Sequence, residues 1–127
     1  MLARDLMSPD PVFMRGDATD DEAIRVLADR GVTAVVVIDD AGRPLGVLTA
    51  TDVLIHQREK LARSGGHEPV RVRDMMTPAV FSVRLDTPAQ QLIEQMVALN
   101  VHRLFVVDES DVVVGVVSAL GVLRGMV

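Results

Sequence analysis

Apolar residues recur along the chain in two alternating patterns. Between Asp20 and Arg30 they fall at Ala23, Ile24, Leu27 and Ala28, and between Ala89 and Leu99 at Leu92, Ile93, Met96 and Val97. Spacing by three and four puts them on one face of a helix, so each stretch is predicted to be an amphipathic helix. Thr19 and Thr87 lie just before these stretches and suit the acceptance of a free amide at a helix start, while Gly31 and Asn100 suit the left-handed residue that ends one. Val35-Val36-Val37-Ile38 and Leu104-Phe105-Val106-Val107 are continuous apolar runs rich in β-branched residues, the pattern of strands buried on both faces. A turn follows each run, at Asp39-Asp40-Ala41-Gly42 and at Asp108-Glu109-Ser110-Asp111. A second strand is predicted at Pro44 to Leu48 and at Val112 to Val117, then a helix from near Ala50 or Ala119.

These parallels are one repeat without gaps, offset by 69 residues. Arg4-Asp5-Leu6-Met7-Ser8-Pro9 lies over Arg73-Asp74-Met75-Met76-Thr77-Pro78, Val37-Ile38-Asp39 over Val106-Val107-Asp108, and Gly46-Val47-Leu48-Thr49-Ala50 over Gly115-Val116-Val117-Ser118-Ala119. The chain therefore divides into repeats at 1–55 and 70–127, joined by a polar stretch at 56–69 whose Ser64-Gly65-Gly66 reads as a loop. Each repeat reads β-α-β-β-α. One face of such a small sheet stays uncovered, so the expected arrangement is two repeats packed sheet to sheet.

Composition narrows the function. The chain has 127 residues and a net charge of −5, with three Phe and no Tyr or Trp, which argues against a nucleic-acid surface built from basic clusters and stacking rings. Without cysteine there is no disulfide, thiolate zinc site or thiol nucleophile. The first residues lack the layout of a signal peptide, and no apolar run reaches the roughly 18 residues that cross a bilayer. The expectation is a soluble, cytoplasmic protein with no membrane or nucleic-acid partner.

Chemistry concentrates at Gly46-Val47-Leu48-Thr49-Ala50-Thr51-Asp52, where a strand gives way to a helix. Helix amides and the positive end of the dipole favour a polyanion there. The Thr49 hydroxyl can bond a phosphate or ribose oxygen, and Asp52, one turn on, can accept from both hydroxyls of a vicinal diol. Thr followed three residues later by an acid is equally the spacing of a helix cap. The twofold unit, the Met-Ser/Thr-Pro segment, the Val-Val-Asp turn and the Gly-x-x-Thr/Ser-x-x-Asp segment together resemble the cystathionine β-synthase (CBS) domain family, from about Arg4 to Leu123.

That resemblance implies an α/β (α+β) fold of tandem CBS repeats with pseudo-two-fold symmetry, a Bateman module that binds AMP, ADP or ATP for regulation and catalyses nothing. It further implies clefts built across the repeats. Leu48, Thr49 and Asp52 would hold the ribose and one side of the adenine, Val80 and Phe81 would line the adenine, and His102 and Arg103 would take the phosphate. The last assignment follows from Val101-His102-Arg103-Leu104-Phe105-Val106-Val107-Asp108-Glu109, which resembles the nucleotide-binding repeats of AMP-activated protein kinase γ subunits. Arg73 falls where some relatives place another phosphate-facing arginine. The second cleft, at Val12, Val117 and Ser118, departs from the pattern: Gly121 replaces the acid, and Thr33 and Ala34 replace the His-Arg pair. One competent site and one weak site are expected.

Simpler roles attach to the remaining polar residues. Asp5 and Asp74 are expected to orient the turns they sit in, and Asp39, Asp40, Asp108 and Glu109 to serve hairpin turns rather than acid–base chemistry. His56 and His67 are assigned no specific role, and no metal or obligatory cofactor is expected. Met7, Met75, Met76 and Met96 read as core fillers. A homodimer is implied by the family, with helix faces at Ala23 to Leu27 and Leu92 to Met96 and the segment Val122 to Val127 as candidate surfaces, and an enzyme or transporter is the expected partner. The alternatives are a scaffold that binds no ligand, or a sensor of S-adenosylmethionine, NAD or a cyclic dinucleotide.

Overall fold

The computed structural model describes residues 1–8, 11–62, 69–78 and 81–127. Ser64-Gly65-Gly66, His67 and Val80 lie outside the described residues. Along the chain the elements are α1 (Ala3–Leu6), β1 (Phe13–Arg15), α2 (Asp20–Arg30), β2 (Ala34–Ile38), β3 (Pro44–Thr49), α3 (Ala50–Ala62), α4 (Val72–Met75), β4 (Ser82–Arg84), α5 (Ala89–Leu99), β5 (Arg103–Val107), β6 (Val113–Ser118) and α6 (Ala119–Gly125). The fold is mixed α/β with two three-stranded sheets, ordered β1-β2-β3 and β4-β5-β6. In each, the first strand runs parallel to the second through a helical crossover and the second pairs antiparallel with the third through a hairpin.

Compact units in space are offset from the repeats in sequence. One unit is Val12–Ala79, and the other is Met1–Pro11 with Val80–Val127. The reason is visible at the outer edge of each sheet. Val47 in β3 exchanges two backbone hydrogen bonds, both 2.9 Å, with Thr77 from the start of the second repeat. Val116 in β6 does the same with Ser8 from the start of the first, at 2.9 and 3.2 Å. Each edge strand is thereby covered by a segment of the other repeat. Such close approach explains the glycine that opens both strand-to-helix motifs: a Cβ on Gly46 would collide with the Thr77 carbonyl, and one on Gly115 would reach Met7 and Ser8.

Cores of the two units match position for position. Met14, Ala23, Leu27, Val35, Val37, Leu48, Val53 and Val72 form one, and Val83, Leu92, Met96, Leu104, Val106, Val117, Val122 and Ala3 occupy the equivalent places in the other. Gains and losses of volume offset each other: Met14 and Ala23 become Val83 and Leu92, while Val35 and Leu48 become Leu104 and Val117. Such paired exchanges keep the packed volume that a core tolerates best. The β2 and β5 runs are buried on both faces as expected, with Val36 3% and Phe105 5% exposed opposite these clusters. Met96 is core, and Met7, Met75 and Met76 pack partly buried against it or its counterpart.

Most helix ends follow the sequence. The Thr19 hydroxyl accepts from the Glu22 amide at 3.2 Å, and Gly31 and Asn100 close α2 and α5 at φ 63° and 52°. Thr87 does not cap α5. Pro88 holds the N-cap position there, and the Thr87 hydroxyl instead accepts from the Arg84 amide at 3.0 Å. The stretch from His56 to Ala62, read as part of a linker, continues α3. Asp5 and Asp74 accept from the amides of Leu2 and Arg71, and Asp39 and Asp108 each accept two amides within their hairpin turns.

Gly46→Ala is expected to destabilise the protein by roughly 1–3 kcal/mol, the usual cost of forcing an extra carbon against fixed backbone. Gly16→Ala, whose Cβ would meet only ordinary contacts of 3.4 Å and beyond, serves as the tolerated control. Urea denaturation midpoints of the two variants check the difference.

Candidate functional site

The strand-to-helix corner is built the same way in both units. In Val12–Ala79, Ala34 pairs with Thr49, and the Ala50 amide donates to the Thr33 carbonyl at 2.8 Å as α3 begins. In the other unit Arg103 pairs with Ser118, and the Ala119 amide donates to the His102 carbonyl at 2.9 Å as α6 begins. Val12 and Phe81 mark the same corner on the neighbouring strand, their carbonyls accepting from the amides of Val36 and Phe105. One register thus brings together Val12, Thr33, Ala34, Thr49 and Asp52 in one unit, and Phe81, His102, Arg103, Ser118 and Gly121 in the other.

Chemical groups are divided between these corners. Thr49 and Asp52 form a reciprocal capping box: the Asp52 amide donates to Thr49 Oγ1 at 3.1 Å, and the Thr49 amide donates to Asp52 Oδ2 at 2.9 Å. Both side chains are half-buried. The cap and a ligand role are compatible, because the Thr49 hydroxyl keeps its proton to donate and Asp52 Oδ1 is not used by the box. In the other unit Ser118 Oγ accepts from the Gly121 amide at 2.9 Å, but glycine returns no carboxylate. That corner carries the His-Arg pair, with His102 and Arg103 exposed on the surface and Phe81 37% exposed beside them. One corner is acidic and the other basic.

Three expected residues stand apart from the exposed groups. Leu48 is fully buried in its unit's core, with its backbone paired to Val35, so its side chain does not share the Thr49 surface. Val117 is its buried counterpart. Arg73 lies at the far end of the β1-β2-β3 sheet from Thr49. Its amide donates to the Gly16 carbonyl at 2.9 Å, and its side chain lines a groove of about 470 Å³ with Arg15, Asp17, Asp39 and Leu45. The separation is the length of β2, about 13 Å at the usual rise per strand residue. Within their unit, then, Arg73 is not brought together with Thr49 and Asp52.

A cluster that the sequence did not single out joins α2 to α3. Asp20, 1% exposed, accepts at Oδ2 from Lys60 Nζ at 3.3 Å and lies 3.2 Å from His56 Nε2. Its Oδ1 accepts from the Asp21 amide at 2.9 Å. Burial works against its charge, but the hydrogen bonds from Lys60, His56 and the Asp21 amide outweigh that and hold the carboxyl below its ordinary value. His56, assigned no role from sequence, therefore has one. The readable signal was His56 and Lys60 four residues apart on one helix face; an acid after an N-cap is too common to point to a partner. Among the described residues no three His, Asp or Glu side chains converge as a metal set, and no helix is long and apolar enough to cross a membrane.

Comparison with known proteins places this geometry. The CBS domain family model matches residues 3–59 and 72–127, so the chain belongs to the CBS-domain family. The magnesium transporter MgtE of Thermus thermophilus is 31% identical over 123 residues, covering 93% of this chain and 25% of that protein. The γ-3 subunit of 5'-AMP-activated protein kinase from Bos taurus is 31% identical over 109 residues, covering 83% of this chain and 22% of the subunit. The chain spans no more than about half the length of the curated relatives it matches. Among solved structures, the cytosolic domain of the Mg2+ channel MgtE in complex with ATP superposes at a TM-score of 0.81 and 29% identity, covering 98% of this chain and 48% of that one. CBSX2 in complex with AMP matches at a TM-score of 0.81 and 27% identity, covering 98% and 95%.

Because the folded Asp20 carboxyl lies below its ordinary value of 3.8, the stability it contributes is fully present above that value and is lost as pH falls through the lower folded one. Urea midpoints measured on either side of 3.8 are expected to fall more steeply with acid in wild type than in Asp20→Asn.

Proposed function

We propose that this chain is a regulatory module that binds an adenine nucleotide, AMP, ADP or ATP, in one competent site. The observation that carries the reading is the division of groups between equivalent corners: a hydroxyl with a half-used carboxylate at Thr49 and Asp52, and an exposed His-Arg pair at His102 and Arg103. Ribose is assigned to Thr49 and Asp52, with Leu48 supporting them from the core. Adenine is assigned to Val80 and Phe81, and phosphate to His102 and Arg103. Ionised partners favour these contacts, each charge-assisted hydrogen bond being roughly twice as strong as a neutral one. Similar structures that hold ATP and AMP support the ligand class. Arg73, at the far end of its sheet from Thr49, is retained as a further phosphate-facing candidate on its match to relatives alone. The weak site falls to Val12, Val117 and Ser118, where Gly121, Thr33 and Ala34 offer neither carboxylate nor cation.

The module acts in the cytoplasm as a homodimer and conveys nucleotide binding to an enzyme or transporter, which requires unequal affinity for two states of the assembly. A second reading, a scaffold that needs no ligand, is favoured by exposed apolar side chains on α5 and α6: Ile93, Val97, Leu120 and Leu123 are 38%, 76%, 54% and 59% exposed.

A thermal-shift and calorimetry panel with AMP, ADP, ATP, S-adenosylmethionine and NADH separates these readings. A ligand at 100 times its dissociation constant adds about 2.7 kcal/mol, enough to raise the midpoint measurably. Stabilisation by an adenine nucleotide, at one per chain, is expected in wild type and is lost in Asp52→Ala and Arg103→Ala. No shift with any ligand favours the scaffold, and two equal sites per chain contradict the asymmetry.

A further inference from the structure

A buried ion pair can often be replaced by packed apolar residues at no cost in stability, so the Asp20 cluster invites a role beyond folding. The two units supply an internal comparison. In the unit lacking a carboxylate at the strand-to-helix corner, where Gly121 stands for Asp52, the equivalents of Asp20 and His56 are Ala89 and Gly125. Cluster and diol acceptor occur together in one unit and are both missing from the other.

Helix geometry connects them. Asp52, His56 and Lys60 are spaced by four, so they form one stripe along α3, turning only about 40° per step. Asp20 grips two members of that stripe from α2, one and two turns beyond Asp52. Rotation of α3 about its axis would swing Asp52 by the same angle. We propose that Asp20, through His56 and Lys60, is a positioning residue that fixes the rotation of α3 and so aims the Asp52 carboxylate at the ribose diol of the bound nucleotide. This inference rests on the nucleotide reading given above.

The test is calorimetric titration of AMP and 2′-deoxy-AMP into wild type, Asp20→Asn and Lys60→Met, each well below its unfolding midpoint. Asp20→Asn is expected to weaken AMP by about tenfold while leaving 2′-deoxy-AMP nearly unchanged, and Lys60→Met to do so less strongly. Equal losses for both ligands, or none, overturn the proposal, because a general loss of order would not single out the diol. Lys60→Met stands in if Asp20→Asn does not fold. A second measurement needs no ligand: the Thr49 and Asp52 amides that close the capping box are expected to exchange with solvent faster in Asp20→Asn, relative to core amides such as Val37. Unchanged relative exchange overturns the clamp. If wild type binds no adenine nucleotide, the nucleotide reading fails, and the exchange measurement still decides whether Asp20 holds the first turn of α3.

Discussion

The backbone exchange at the outer sheet edges is the constraint on which the rest of this structure depends. Val47 with Thr77, and Val116 with Ser8, each add a short extended segment beside a third strand. Both segments approach closely: a Cβ at Gly46 would collide with the Thr77 carbonyl, and one at Gly115 would press on the Met7 side chain and the Ser8 carbonyl. The strand that carries each glycine runs straight into the helix whose first turn carries the polar groups. Edge closure, the glycine and the placement of Thr49 or Ser118 are therefore one structural event, repeated in each unit.

Divergence has acted on top of that shared frame. The eight core positions keep their places and their combined volume, because a packed interior penalises change in either direction. The corners escape this restriction. There one copy carries a carboxylate and the other a His-Arg pair, so the duplicated scaffold supplies two kinds of chemistry. A half-used capping box is well suited to this task, since Asp52 is held by the Thr49 amide through one oxygen and keeps the other.

Much of this was legible before any coordinates. The repeat without gaps made strands, helices and hairpins read twice, and the paired readings agreed down to Gly31 and Asn100. What was not legible has specific causes. Arg4-Asp5-Leu6-Met7 and Arg73-Asp74-Met75-Met76 are so alike that sequence could not say which copy each packs with, and their exchange went unseen. Thr87 looked like a cap, but Pro88 occupies the position that Thr19 fills in the first repeat. Arg73 was placed by analogy with relatives; its position beside Gly16 follows from the same segment packing. The partnership of Asp20 with His56 and Lys60 crosses 36 and 40 residues, beyond any local pattern.

The exchanged segments also set an order of events during synthesis. Ser8 finds its backbone partner in Val116, far along the chain, so its segment can be placed only after β6 has been made. Val12–Ala79 holds all its own parts once Ala79 has emerged, whereas Met1–Pro11 waits for the rest of its unit to be made. Until then Leu6 and Met7, which pack against the core of that unit, have no core to join. During synthesis, therefore, the apolar side chains of Leu6 and Met7 stay without their core partners for the whole time it takes to make Val12–Ala79 and the strands beyond it.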